Sequence, residues 1–92
     1  MYPDYEFDLP AFIEKMKQQK TALAVCTAVD DEIRRVDALC YRKKGAVAAR
    51  KKGIPYRESL RRLYLVMRTG NLHSYLPATE RQLFGSLLES FS

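Results

Sequence analysis

The stretch that decides the fold is Ala22–Cys40, ALAVCTAVDDEIRRVDALC. Its residues Ala22, Cys26, Val29, Ile33, Val36 and Cys40 recur in alternating steps of four and three. That spacing stacks them on one face of a 3.6-residue helix. On its N-terminal side a second stripe runs through Leu9, Phe12, Ile13, Met16 and Leu23, with Asp8 placed to cap and Pro10 in the first turn. At about 100° per residue the two stripes point roughly 130° apart. Either the chain breaks near Gln18-Gln19-Lys20-Thr21, with Thr21 as a new N-cap, or one helix from Pro10 to Lys44 packs its halves on different neighbours. With no Gly or Pro at the junction, the continuous helix is the expectation.

On the C-terminal side, Arg42-Lys43-Lys44 precedes Gly45, a basic last turn followed by a residue suited to ending a helix. Ala46–Lys52 has room for two turns before Gly53, and Pro55 is placed to open the next helix. Tyr56, Leu60, Leu63 and Met67 form the apolar stripe of that helix, which Gly70-Asn71 closes. A loop carrying His73 leads to a last helix with Pro77 near its start and a Thr79-x-x-Gln82 capping box. Its apolar face is Leu83, Phe84, Leu87, Leu88 and Phe91. No segment alternates like a strand. The expected fold is one all-α domain over residues 1–92, a small helical bundle of three to five helices.

Composition agrees. The chain has 92 residues, 47% hydrophobic and 29% charged, which fits a folded single domain and not a disordered tail. That length excludes a TIM barrel or a typical dinucleotide-binding domain. The acidic segment 1–8 lacks the basic, apolar character of a targeting signal, and Ala22–Val29 is too short to span a membrane. Two cysteines without a secretion signal point to the reducing cytoplasm.

Chemistry-bearing residues are few. Cys26 and Cys40 share one stripe about 21 Å apart on a single helix, too far for a disulfide or a shared metal, and read as small buried residues. His73 has no acid or nucleophile near it in sequence, so no catalytic, metal or cofactor site is expected and the chain does not read as an enzyme. Asp30-Asp31-Glu32 with Asp37 reads as a solvated face, Asp31 and Glu32 lying close enough to pair with Arg35.

Charge is the strongest functional signal. Net charge is +5, yet the 42–68 window holds ten basic residues and one acid, Glu58, for +9, while the remainder carries −4. Segregation of this kind implies an anionic partner. The candidate contact residues are Arg42, Lys43, Lys44, Arg50, Lys51, Lys52, Arg57, Arg61 and Arg68, with Tyr41 beside them as an exposed ring. Tyr56 and Tyr64 fall on or beside an apolar stripe and read as core rather than as base-stacking platforms.

Ala49-Arg50-Lys51-Lys52-Gly53-Ile54-Pro55-Tyr56 resembles the centre of a helix-turn-helix, which makes 46–69 a candidate hairpin of that type. The resemblance implies a recognition helix presenting Arg57, Arg61 and Arg68, which lie within about 40° on the wheel. Leu60 and Leu63 sit one position later than the motif's usual core residues, and Pro55-Tyr56 replaces its small polar groove contacts. A homodimer fits this reading, with Leu65 at the interface.

Two functions compete. One is a small regulatory protein that binds DNA or RNA phosphates through the 42–68 region. The other is a protein-binding inhibitor or adaptor that docks on an acidic, nucleic-acid-handling complex and blocks it. Small phage and plasmid proteins, anti-CRISPR proteins among them, act in the second way. The segment 1–8, in which Tyr2, Tyr5 and Phe7 alternate with Asp4, Glu6 and Asp8, suits docking on a basic groove or folding back over the chain's own basic surface.

Overall fold

The computed structural model describes residues 7–41 and 47–91. It contains four helices: α1 (Leu9–Met16), α2 (Ala22–Tyr41), α3 (Val47–Thr69) and α4 (Ala78–Glu89). No strand occurs among the described residues. The fold is an all-α bundle, as the apolar stripes require.

The chain breaks between α1 and α2, against the expectation of one continuous helix. The α1 ladder tightens at its end, where the Gln18 amide donates to the Lys15 carbonyl and the Gln19 amide to the Met16 carbonyl. A new helix then starts at Thr21, whose Oγ1 accepts from the Ala24 amide at 3.1 Å and whose carbonyl accepts from Val25. The break lets each stripe face the core separately, so the 130° offset needs no twisted helix. It also moves Leu23 out of the first stripe, leaving it 75% exposed. Asp8 caps α1 through the Ala11 amide.

The second correction lies in α3. The expected hairpin at 46–69 is a single helix running through Gly53 and Pro55, so no turn separates a first helix from a recognition helix. Gly53 is needed for close approach, not for turning. A Cβ built there meets Cys40 Sγ at 2.6 Å and the Phe7 ring at 3.3 Å. Pro55 sits on the exposed side of the helix with Lys51, whose carbonyl has no amide to accept from at Pro55. The expected helix end at Gly45 falls outside the described residues.

Helices α2 and α3 make the dominant contact and run antiparallel. Cys40 lies against Gly53, Asp37 bonds Arg57, and Asp30 and Ile33 meet Arg61 and Tyr64 further along. Val25, Val29 and Val36 of α2, Leu60, Leu63 and Val66 of α3, Ile13 of α1, and Phe84 and Leu87 of α4 are fully buried. Gly70 ends α3 with φ of 73°, its amide donating to the Val66 carbonyl at 2.7 Å. Helix α4 begins at Ala78, ahead of the expected capping box. Thr79 therefore lies inside the first turn, and no side chain caps this end. Residues of α1 and α3 pack on α4 and close the bundle.

Gly53→Ala tests the close approach. Helix propensity alone favours alanine by about 1 kcal/mol, but overpacking costs roughly 1–3 kcal/mol. Thermal or denaturant unfolding is expected to show net destabilisation, smaller when the same change is made in a Cys40→Ala background.

Candidate functional site

Because α3 is continuous, its arginines form a longer row than a recognition helix would carry. Arg50, Arg57, Arg61 and Arg68 fall within about 40° on the wheel and span about 27 Å along the axis. The buried stripe from Gly53 to Met67 holds the opposite side of the helix against the core. Alongside the row, α2 supplies the second wall of a shallow groove. One hollow is lined by Arg34, Asp37, Ala38, Tyr41 and Arg57, and the next by Asp30, Ile33, Arg61, Tyr64 and Leu65.

Each arginine is held differently. The Arg50 Nε donates to the Cys40 carbonyl at 2.9 Å, satisfying a C-terminal acceptor of α2. Arg57 is largely covered. It donates to Asp37 Oδ1 at 2.7 Å, lies 3.7 Å from Glu58, and stacks 5.5 Å above the Tyr41 ring. The hydrogen bond to Asp37 raises its already high pKa against the opposing effect of burial. Its Nε is buried without a hydrogen-bond partner. Arg68 lies 5.7 Å over the Tyr64 ring and donates to that phenol at 3.2 Å, leaving the guanidinium at the surface. Arg61 is exposed beside Leu65, itself 43% exposed.

The structure thus gathers Arg50, Arg57, Arg61, Arg68 and Tyr41, which remains 55% exposed. Lys51 and Lys52 are exposed but turned about 100° and about 160° from the centre of the row. Arg42, Lys43 and Lys44 lie outside the described residues. Tyr56 is core, its phenol donating to Glu32 at 2.7 Å, and Tyr64 is half-buried against the core. Sequence reasoning missed Arg34 as part of this surface, because only the antiparallel pairing of α2 with α3 brings it beside Arg57. Within α2, Arg34 meets Asp30 at 3.1 Å.

Other charges are spent on the fold. Arg62 forks onto Glu80, with Nε to Oε1 at 2.6 Å and Nη2 to Oε2 at 2.7 Å, and Ser59 donates to the same carboxylate at 2.9 Å. This buried network ties α4 to α3 and removes Arg62 from the basic row. Arg35 forks onto Glu32 at 2.8 Å for both bonds, which makes Glu32 its partner among the acids of that run. Phe7, at the end of the acidic N-terminal segment, packs against Tyr56 with centroids 5.5 Å apart and lies under Arg35. Residues 1–6 lie outside the described residues. Cys26 and Cys40 are buried cysteines that form no disulfide, and burial pushes both thiol pKa values up. His73 stacks on Tyr75 in the α3–α4 loop, with centroids 5.2 Å apart.

The Glu80 network gives a pH-dependent signature. The Arg62 hydrogen bonds, outweighing burial and helped by Ser59, hold the Glu80 carboxyl below the ordinary carboxylate range. Glu32 is also lowered. Burial opposes ionisation there, but the bonds from Arg35 and Tyr56 outweigh it. A carboxyl depressed in the folded state stabilises above its unfolded pKa, and that contribution is lost as pH falls through the folded value. Wild-type stability should therefore decline in acid from about pH 4.5 downward. Glu80→Gln should make that decline shallower, and Arg62→Ala should cost about 3 kcal/mol at neutral pH by stranding a buried carboxylate. Denaturant unfolding at stepped pH measures both.

Comparison of the chain with family models, with curated proteins and with solved structures returns no match, so the reading of this surface rests on its own geometry and charge.

Proposed function

We propose that this protein is a small regulatory nucleic-acid-binding protein whose contact surface is the α3 arginine row with the adjoining wall of α2. The observation that carries the reading is the uninterrupted helix, which sets Arg50, Arg57, Arg61 and Arg68 along one line of about 27 Å. Arginine suits this role because its planar fork engages phosphate oxygens in pairs and its face stacks on rings. The geometry favours tracking of a phosphate backbone, with Arg61 and Arg68 as the outward contacts. Tyr41 offers a ring for an unpaired base. Asp37 and Asp30 moderate the field of the row and orient Arg57 and Arg34.

A second reading has its own observation. The hollow of Asp30, Ile33, Arg61, Tyr64 and Leu65 mixes an exposed leucine with charges of both signs, a composition that suits docking on an acidic protein surface. Under that reading the chain is an inhibitor or adaptor on a nucleic-acid-handling complex.

Electrophoretic shift of random duplex, single-stranded DNA and RNA over a salt series separates the two. Direct backbone binding by three or four arginines predicts a log–log salt slope of about −3 on duplex. Arg61→Ala with Arg68→Ala should reduce that slope by about two. Asp37→Asn, which frees Arg57, should tighten binding. Pure protein that shifts none of the three at low salt overturns the nucleic-acid reading, and capture of one acidic protein lost on Arg61→Ala supports the second.

A further inference from the structure

We infer that the solvent-facing side of α2 is a homodimer interface on which two copies of the helix pack antiparallel. The core stripe of α2 leaves the opposite side of the helix open. That side carries its own regular seam: Ala24, Thr27, Asp31, Arg34, Ala38 and Tyr41, in alternating steps of three and four. This is the spacing with which one helix meets another along its whole length. Thr27, Asp31, Arg34 and Tyr41 are exposed, and Leu23 at the head of the seam is the most exposed large apolar residue among those described.

The seam complements itself only when inverted. With a two-fold axis passing between Asp31 and Arg34, Asp31 of each copy faces Arg34 of the other. In the same register Thr27 faces Ala38 and Ala24 faces Tyr41 across the axis, so all three layers close together. Small residues flank the central charges and let the backbones approach closely. Beside Ala24 lies a hollow lined by Gln19, Thr21, Leu23, Thr27 and Ala28, placed to receive the second copy's Tyr41 ring. A parallel arrangement sets Asp31 against Asp31 and Arg34 against Arg34, so the charge pattern rejects it. Among the described residues of one chain Arg34 pairs with the half-exposed Asp30, a weak tie, and its fork has donors for a second carboxylate.

The dimer stands on the α2 pattern alone and does not require the arginine row to bind nucleic acid. It does fix how two rows relate. The two-fold axis lies perpendicular both to the α2 axes and to the line joining them. The seam shares Arg34, Ala38 and Tyr41 with the hollow beside Arg57, so pairing commits that hollow and its tyrosine to the dimer and leaves Arg61 and Arg68 of both copies as the outward contacts.

The full chain, measured by sedimentation velocity over a concentration series, tests the assignment. Wild type is expected to dimerise, and Asp31→Arg or Arg34→Asp alone to weaken dimerisation by about tenfold or more. The exchanged pair, Asp31→Arg with Arg34→Asp in one chain, is expected to restore it, because opposite charges again face each other in every copy. Circular dichroism confirms folding of each variant, the changes being at the exposed Thr27, Asp31 and Arg34 and the half-buried Ala38. A chain with Thr27→Cys and Ala38→Cys is expected to form a covalent dimer on mild oxidation, whereas Thr27→Cys alone is not. Wild type that stays monomeric throughout, single reversals that still dimerise, or a folded exchanged pair that stays monomeric would each overturn the assignment. A double-cysteine chain that does not cross-link overturns the register.

Discussion

The closeness of α2 to α3 governs the rest of the molecule. Where the two helices meet at Cys40 and Gly53 there is no room for one more carbon. That contact, with the valines of α2 meshed against the leucines of α3, sets both the distance and the register between the helices. Register in turn decides which polar groups meet. It brings Tyr56 to Glu32 and Arg57 to Asp37, and it sets Arg61 across a shallow hollow from Asp30. A shift of one turn would exchange the roles of these side chains. The surface chemistry is therefore a consequence of apolar packing, since the charges occupy positions that the core has already chosen.

The cations divide into two groups by what the fold does with them. Arg62 and Arg35 are forked onto carboxylates that sit beneath the surface, and their charge is cancelled locally. Arg61 and Arg68 keep their charge toward solvent, Arg68 braced by a tyrosine ring rather than by an acid. Arg57 stands between the groups, neutralised by Asp37 yet resting on the partly exposed Tyr41. A count of basic residues in the window treats all of these alike, although their availability to a partner differs greatly.

Much of the fold was legible in the residues because burial imposes a period. The α2 stripe, the Tyr56–Met67 stripe and the Leu83–Leu88 face all pack against the core as their spacing demands. The break before α2 was legible too, in the angular offset of the two stripes. The lack of glycine or proline there misled, since a polar four-residue segment and a threonine cap suffice to end one helix and begin another. Gly53 and Pro55 misled in the opposite sense. Both residues serve turns and helix starts, and sequence alone does not reveal that a neighbouring cysteine demands a missing side chain. The near alignment of Arg57, Arg61 and Arg68 was visible on a wheel, but the addition of Arg50 depended on helix continuity. The contribution of Arg34 and of Asp37 depended on α2 lying antiparallel beside the row, a tertiary fact without a local signature.

Proline within α3 has a consequence for motion. Its ring removes the backbone bond that should join Pro55 to Lys51, so one rung of the ladder tying the first turns of the helix to the remainder is missing. The Arg50 bond to the end of α2 and the contact around Gly53 hold this end of the helix in place. Release of Arg50 from the Cys40 carbonyl leaves the buried core untouched, and it detaches one end of the arginine row while the other end stays in place. A ligand gripping Arg50 and Arg68 together selects the closed form and suppresses those excursions, so occupancy at one end of the molecule is felt as rigidity at the other.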